Sequence, residues 1–462
     1  MNIQQIYTGC LAQGAYYLES KGEAVIIDPL REVQDYIDRA AKDHAKIKYI
    51  FETHFHADFV SGHLTLAEKT GATIVFGPNA DTTFIAHIAE DNEEFTIGDI
   101  TIKAIHTPGH TMESTTYLVK DESGKDYAIF SGDTLFLGDV GRPDLAQKSN
   151  VSQEDLAGIL FDSLRNKLMP LADDVIVYPA HGAGSSCGKN LSKETVGTLG
   201  DQKKTNYALR EDMTKEEFIK EVTKGLLPPP AYFPLNVKLN KEGYFSVEDV
   251  IKKANVALST KEFETIANET NAVVIDVRHQ REFINGFIPQ SVFIGLGGTF
   301  APWAGALIKD IKQPILLITP EGKEKETITR LSRVGFDNVL GYLEGGFDAW
   351  KKEGKETDTL LSVSAKMLEQ KIRENALVFD VRKPGEYADE HIADVSNTPL
   401  DYFNDHIADF PVNREFYVYC AGGYRSVIAA SILKARGFHN VIDVAGGYAA
   451  IKKTAIKRVY AV

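Results

Sequence analysis

Short apolar runs recur along the first part of the chain: AVIID, KYIFETH, TIVFG, ITIKAIH, YAIFSGD and VIVYPAH, separated by polar stretches of helical or loop character. Runs of this length, rich in Val, Ile, Phe and Tyr, predict strands in a layered α/β arrangement. Several of them end directly in His or Asp. Polar groups at strand ends, on loops held by a sheet, are where catalytic sites tend to be built.

The pattern then breaks at KGLLPPPAYFP (224–234), which reads as a stiff linker because its prolines can continue neither a helix nor a central strand. Beyond it the chain repeats itself. VVIDVRHQREFINGFI (273–288) resembles LVFDVRKPGEYADEHI (377–392), with Asp276, Arg278, Glu282 and Ile288 recurring 104 residues later at Asp380, Arg382, Glu386 and Ile392. Further along, VGFDNVLGYLEGGFDAW (334–350) pairs with RGFHNVIDVAGGYAAI (436–451). Each copy holds roughly a hundred residues of alternating strand and helix signals, enough for one α/β domain, so the period marks domain duplication and not a solenoid. The expected organisation is a first domain over 1–235, including the linker, a second over 243–355 and a third over 360–462.

A length of 462 residues suits about two to four domains, in agreement with that division. Hydrophobic residues make up 43% and charged residues 25%, the balance of a soluble globular protein. The formal net charge of −14 without a basic run argues against nucleic acid or an anionic membrane surface as partner. The N-terminal MNIQQIYTGCLAQGAYYL has no basic segment leading into an apolar one, so no signal peptide is expected, and no apolar stretch approaches membrane-spanning length. The three cysteines, Cys10, Cys187 and Cys420, are few, odd in number and widely spaced, which suggests a reducing cytoplasm and no disulfide framework.

Histidine changes the picture most, since eight of the twelve lie before residue 182. Four fragments, THFHAD (53–58), HTPGHT (106–111), SGDTLF (131–136) and PAHG (179–182), each set a His or Asp beside small or turn-forming residues after a hydrophobic run. Together they offer His54, His56, Asp58, His110, Asp133 and His181 as ligands for one cation. His63, His87 and His106 read as helix-end, surface and local hydrogen-bonding residues.

This ordered set resembles the metallo-β-lactamase superfamily, which implies an αββα sandwich with metal at the edge between two sheets. The usual pattern is His-x-His-x-Asp-His, and here Phe59 stands at the last position, so a second metal would keep too few ligands. Two histidines and one carboxylate leave three positions open, the arrangement of non-haem Fe(II). Within the superfamily, ETHFHADFVSGH (52–63) most resembles the persulfide dioxygenases. That resemblance implies one Fe(II) per chain held by His54, His110 and Asp133, with His56, Asp58 and His181 orienting the ligands; whether His56 is a fourth ligand stays open. GDVGRPDL (138–145) would bring Arg142 to a substrate carboxylate, against the alternative of a loop salt bridge with Asp139 or Asp144. Cys187 in HGAGSSCGKN (181–190) is a candidate relay thiol or a small loop residue, and Cys10 a packing residue.

In the last copy, YCAGGYRS (419–426) places Cys420 on a small-residue loop at a helix N-terminus, where backbone N–H groups favour thiolate. Arg425 could hold an oxyanion there, and Gly422, Gly423 and Tyr424 complete a cradle about the sulfur. With the Asp-Val-Arg and Gly-Gly-Tyr signals, this resembles a rhodanese domain, whose cysteine carries sulfur as a persulfide. The corresponding PILLITPEGKEKET (314–327) has no cysteine, so the first copy should not transfer sulfur.

The whole chain thus resembles fusions of a persulfide dioxygenase with two rhodanese domains, the first degenerate. The resemblance implies oxidation of a small-molecule persulfide by O₂ to sulfite, thiosulfate as a sulfurtransferase substrate or product, and a homo-oligomer. Two other readings stand beside it: a mononuclear zinc thioester hydrolase of the glyoxalase II type fused to a sulfurtransferase, and a metal-bound scaffold serving sulfur transfer alone.

Overall fold

The structure, a computed structural model, describes residues 1–145, 151–189 and 191–460; the last two positions of the third expected domain fall outside these. The chain forms two compact units, one of Met1–Val247 with Arg333–Gly335 and one of Glu248–Ser332 with the chain from Phe336 onward.

The first unit is built on two six-stranded sheets. In one, Asn2–Thr8, Gln13–Ser20, Glu23–Ile27, Lys46–Phe51, Thr73–Phe76 and His87–Ile88 lie in chain order, antiparallel at first and parallel from Glu23–Ile27 onward. The other runs Gly197–Thr198, Ile176–Pro179, Asp126–Gly132, Thr115–Lys120, Ile100–His106, Glu94–Ile97.

Why the runs are apolar throughout is visible in their burial. Tyr16, Leu18, Val25 and Ile27 face the other sheet, meeting Ile102, Tyr117, Val119 and Phe130. Their neighbours Ala15, Tyr17, Ala24 and Ile26 face outward beneath Val33, Tyr36, Ala40 and Leu66, from the helices Gln34–Lys42 and His63–Thr70 and the turn before the first of them. On the far side, Ile105, Leu118 and Ile129 pack under Ala157, Leu160, Phe218 and Val222 of the helices Gln153–Ser163 and Lys215–Thr223. Strands buried on both faces lose the polar alternation that a one-sided sheet would show. The result is the αββα sandwich.

The proline-rich segment differs from expectation. Helix Phe233–Glu242 begins inside it, with Pro234 in its first turn, where the missing N–H is not needed. That helix belongs to the first unit, which continues past residue 235 to Val247.

In the second unit the two copies carry matching five-stranded parallel sheets. One runs Ala257–Leu258, Val339–Leu343, Ile315–Ile318, Val273–Asp276, Val292–Phe293; the other runs Ser362–Ser364, Val441–Ala445, Phe416–Tyr419, Leu377–Asp380, Ser396–Asn397. The repeated Asp-x-Arg is a buried ion pair in both. Arg278 grips Asp276 and stacks 4.3 Å from the Phe347 ring centroid; Arg382 grips Asp380 and stacks 3.9 Å from that of Tyr448. A buried carboxylate needs such a fork, and the aromatic face of the Gly-Gly-Phe/Tyr repeat covers the guanidinium. Among the described residues no helix is long and apolar enough to cross a membrane.

Candidate functional site

The four His/Asp fragments leave strands of the two sheets at the same edge. Lys46–Phe51 leads into His54, His56 and Asp58, while Ile100–His106, Asp126–Gly132 and Ile176–Pro179 lead into His110, Asp133 and His181. Backbone bonds join the two sheets' loops there, from Thr115 N to Thr53 O at 2.9 Å and from Gly182 N to Ala12 O at 2.9 Å. All six side chains are buried.

Three of them turn a ligand atom toward one point. Asp133 Oδ2 lies 3.4 Å from His110 Nε2 and 3.8 Å from His54 Nε2, and it is buried without a hydrogen-bond partner. The far nitrogen of each ring is anchored: His54 Nδ1 meets Thr53 Oγ1 at 3.0 Å, and His110 Nδ1 meets the Arg142 carbonyl at 2.9 Å. The carbonyl makes His110 Nδ1 the protonated nitrogen and leaves Nε2 free with its lone pair. An orphaned carboxylate oxygen facing such donors, with the rings fixed from behind, fits a metal ion. Burial together with the neighbouring His56 pushes the His54 imidazole well below its usual range, keeping it neutral as a ligand must be.

His181 is held differently. Its Nδ1 is 2.7 Å from Asp133 Oδ1 and its Nε2 2.9 Å from Asp58 Oδ2. Burial opposes charge on both Asp133 and His181, yet mutual attraction overrides it. Asp133 is held far below the carboxylate range, above all by His181, and His181 is raised well above the imidazole range by Asp133 and Asp58. A cationic ring therefore bridges the two carboxylates. The Phe59 ring, fully buried, lies 4.3 Å from the His56 ring where a further ligand would stand.

His56 does not join His54, His110 and Asp133. Its ligand atoms group with Asp58 and His181 on one side and with Asp28 and Glu52 on the other, with Nε2 3.1 Å from Asp28 Oδ1. Sequence reasoning did not find the Glu52 network. The Glu52 carboxyl, raised well above its usual range by burial and Asp28, bonds Ser61 Oγ and lies 3.3 Å from His63 Nδ1. Asn240 was missed as well: it donates to the carbonyls of His56 (2.8 Å) and Phe59 (2.9 Å) and accepts from Ser61 N, pinning the loop from the helix after the prolines. So was Tyr232, a buried phenol raised by burial and by the nearby Asp58 and Cys187.

Cys187 is buried beside Asp133 and His181, and burial together with Asp133 and Asp58 keeps it a thiol. Arg142 is buried and clasped within its own loop. Its Nε and one terminal nitrogen fork onto Asp144 at 2.6 Å each, and the remaining donors reach the carbonyls of Ser186 and Leu227. The guanidinium is thus paired with Asp144 inside its own loop, and the Arg142 backbone carbonyl orients His110. His87 is a surface residue paired with Glu93, His106 bonds the Met112 carbonyl, and His63 starts a helix but is fully buried.

In the last copy the buried Cys420 Sγ accepts from Gly423 N at 3.1 Å, with Ser426 Oγ at 3.5 Å. Gly423 has φ +96°, open to glycine at little cost, which lets its N–H turn inward. Gly422 is exposed at the loop's tip. Arg425 forks onto Glu386 at 2.6 and 2.8 Å, and its charge remains close enough to feel the Cys420 sulfur. The Tyr424 hydroxyl donates to the Gly295 carbonyl at 2.6 Å. In the first copy, Gly322, with φ +78°, donates from N to Glu324 Oε1 at 3.1 Å, and Thr319 Oγ1 lies 3.3 Å from the same atom. The loop shape survives there, but a carboxylate replaces the sulfur.

Residues 8–181 match the family model described as Metallo-beta-lactamase superfamily, and residues 259–353 and 364–454 each match the Rhodanese-like domain. The cytoplasmic hydroxyacylglutathione hydrolase of Arabidopsis thaliana is 36% identical over 138 residues, 29% of this chain and 53% of the relative, so the match spans about half of that protein. The human mitochondrial persulfide dioxygenase ETHE1 is 28% identical over 220 residues, 47% of this chain and 78% of the relative. A crystal structure titled as a metallo-beta-lactamase from Staphylococcus aureus subsp. aureus COL superposes with TM-score 0.66 at 31% identity, covering 74% of this chain and 98% of that one.

Proposed function

This chain belongs to the metallo-β-lactamase superfamily and carries two rhodanese-like domains, and from that premise we propose that it oxidises a small-molecule persulfide in its first domain and transfers sulfur at Cys420. The observation that carries the reading is the pairing of Asp133 Oδ2 with two histidine nitrogens on one side, and Phe59 with the clasped His181 on the other. One ion has ligands there; a second lacks the group that Phe59 replaces. His54, His110 and Asp133 would hold one Fe(II), which supplies redox chemistry toward O₂ and sulfur.

The chain's own residues prepare that site. Thr53 and the Arg142 carbonyl fix the two imidazoles. His181 donates from Nδ1 to Asp133 and from Nε2 to Asp58, which orients Asp133 Oδ2 toward the ion. Phe59 and Phe136, both fully buried, keep water from His56 and His181. Cys187, buried beside Asp133 and His181, packs as a thiol against that ligand set, and a relay role would require it to be exposed and ionised first. The balanced reaction takes a persulfide such as glutathione persulfide, O₂ and water to the thiol and sulfite. At Cys420 a persulfide's outer sulfur passes to sulfite: the S–S bond to cysteine breaks, the bond to sulfite sulfur forms, and thiosulfate leaves with Cys420 as thiolate, its charge met by the Gly423 N–H. The reverse direction uses the same groups. Such chemistry suits sulfide oxidation in a cytoplasm, by a homo-oligomer.

The match to a hydroxyacylglutathione hydrolase favours a second reading, zinc-dependent thioester hydrolysis in the first domain. Oxygen uptake separates the two. Purified protein given glutathione persulfide should consume O₂ and form sulfite and thiosulfate whose total equals the O₂ consumed, and turnover of a glutathione thioester without O₂ uptake would replace the first reading with the second.

Phe59→His tests the role of the phenylalanine. With Asp58 and His181 it completes a three-residue set, so metal content by elemental analysis should rise from about one to about two ions per chain. A variant that stays at one ion would show that Phe59 does not decide the metal count.

A further inference from the structure

The helix Arg425–Ala435 begins directly after the Cys420 loop, and Tyr424 is its N-cap residue. Tyr424 reaches out of its own copy. Its hydroxyl donates to the Gly295 carbonyl, and its ring stands edge-on to Phe293 at 5.7 Å and 71°. Gly298 lies against the same ring, so closely that a Cβ there would sit 2.6 Å from Tyr424 Cζ and 2.9 Å from its hydroxyl oxygen. Gly295 is nearly as close, at 3.1 Å from Cε2. Neither glycine has a positive φ, so close approach and not backbone conformation is what excludes a side chain. Burial raises the Tyr424 phenol well above its usual range, which keeps it a donor at any working pH.

We propose that Tyr424 is a positioning residue anchored by the copy that lacks a cysteine, holding residues 421–424 so that the Gly423 N–H points at the Cys420 sulfur. The sequence that lost the thiol thus supplies the wall against which the active loop is set. Gly295 and Gly298 open a slot for the ring, and the Gly295 carbonyl accepts the hydrogen bond from its hydroxyl. One N–H directed at sulfur stabilises the thiolate over the thiol. If the anchor is released, the loop gains freedom and that preference weakens. A second bond between the copies, from Phe293 N to Ser431 Oγ at 2.9 Å, touches the same helix but not the loop, and so separates positioning from mere cohesion of the two copies.

The proposal rests on Cys420 being the sulfur-carrying thiol, but its test does not depend on turnover. In the full-length protein, alkylation of Cys420 by iodoacetamide is followed across pH by mass spectrometry of its peptide. Tyr424→Phe removes only the hydroxyl; Gly298→Ala displaces the ring from the other copy. Both should raise the alkylation midpoint by about half a pH unit or more, and Ser431→Ala should leave it in place. Midpoints equal to the wild type in both variants overturn the proposal, as does an equal rise in Ser431→Ala. Thiosulfate-to-cyanide transfer by the wild type reports separately on Cys420 itself: its absence would end the sulfurtransferase reading while leaving the midpoint result standing.

Discussion

Replacing Asp133 by Asn should strip the metal from the purified protein and lower persulfide-dependent O₂ uptake by at least about a hundredfold. The loss follows from what Asp133 touches. Its Oδ1 accepts from His181, and its Oδ2, which has no hydrogen-bond partner, faces His54 and His110. An amide of the same shape can still accept from His181 but brings no charge to the ion. Partners that merely orient a ligand cost about ten to a hundredfold in metal affinity when removed, and a ligand should cost more. The burial of all three groups sharpens the loss, because the water that might replace a carboxylate has little access. Elemental analysis and an oxygen electrode measure the outcome, with circular dichroism to show that the fold survives. Thiosulfate-to-cyanide transfer at Cys420 should stay within about twofold of the wild type, since the two sites use no common residue. A variant that keeps its iron would remove Asp133 from the ligand set.

The His/Asp fragments were legible because each is local: a strand, then a His or Asp within a few residues of its end. Their supports were not. Asn240 reaches the His56 and Phe59 carbonyls from a helix more than 180 positions along the chain, and no local pattern marks a single polar residue for that work. Tyr232 and Pro234 lay in a segment whose prolines predicted a linker, yet one of those prolines opens a helix. Arg142 and Tyr424 were read as facing substrate from the chemistry of their side chains alone. Arg142 had its partner two residues away at Asp144, an alternative visible in GDVGRPDL, whereas the Gly295 partner of Tyr424 is 129 residues distant and depends on how the copies pack.

The repeat shows the same limit from another side. Asp-x-Arg and Gly-Gly-aromatic could be matched between copies by eye, but that the aromatic covers the arginine needed the fold. Equally, all-apolar runs announced strands without saying which face is which. Tyr16 and Tyr17 are chemically alike and point into different layers. In the sulfur loop the sequence showed the missing cysteine of the first copy, while the structure adds that the corresponding Gly322 N–H, exposed there, bonds the Glu324 carboxylate.

Cys420→Ser should abolish sulfur transfer, by about a thousandfold or more in thiosulfate-to-cyanide turnover, because a hydroxyl is neither readily ionised nor able to carry sulfur as a persulfide. The substitution is close to isosteric, so the Gly423 N–H keeps an acceptor and the buried site between the Tyr419 strand end and Ser426 stays filled. The other copy offers no substitute, since Thr319 and Glu324 fill its loop. Oxygen uptake with glutathione persulfide should stay within about twofold of the wild type, because Asp133, His54 and His110 take no support from Cys420. This pair of measurements decides between two arrangements of the chemistry. Loss of transfer alone places oxidation and sulfur exchange at independent centres. Loss of both would mean that the metal domain does no chemistry on free persulfide and that every reaction of the chain passes through Cys420. Residual transfer above about a tenth of the wild-type rate would point to Cys187, the other buried thiol, as a sulfur carrier in its own right.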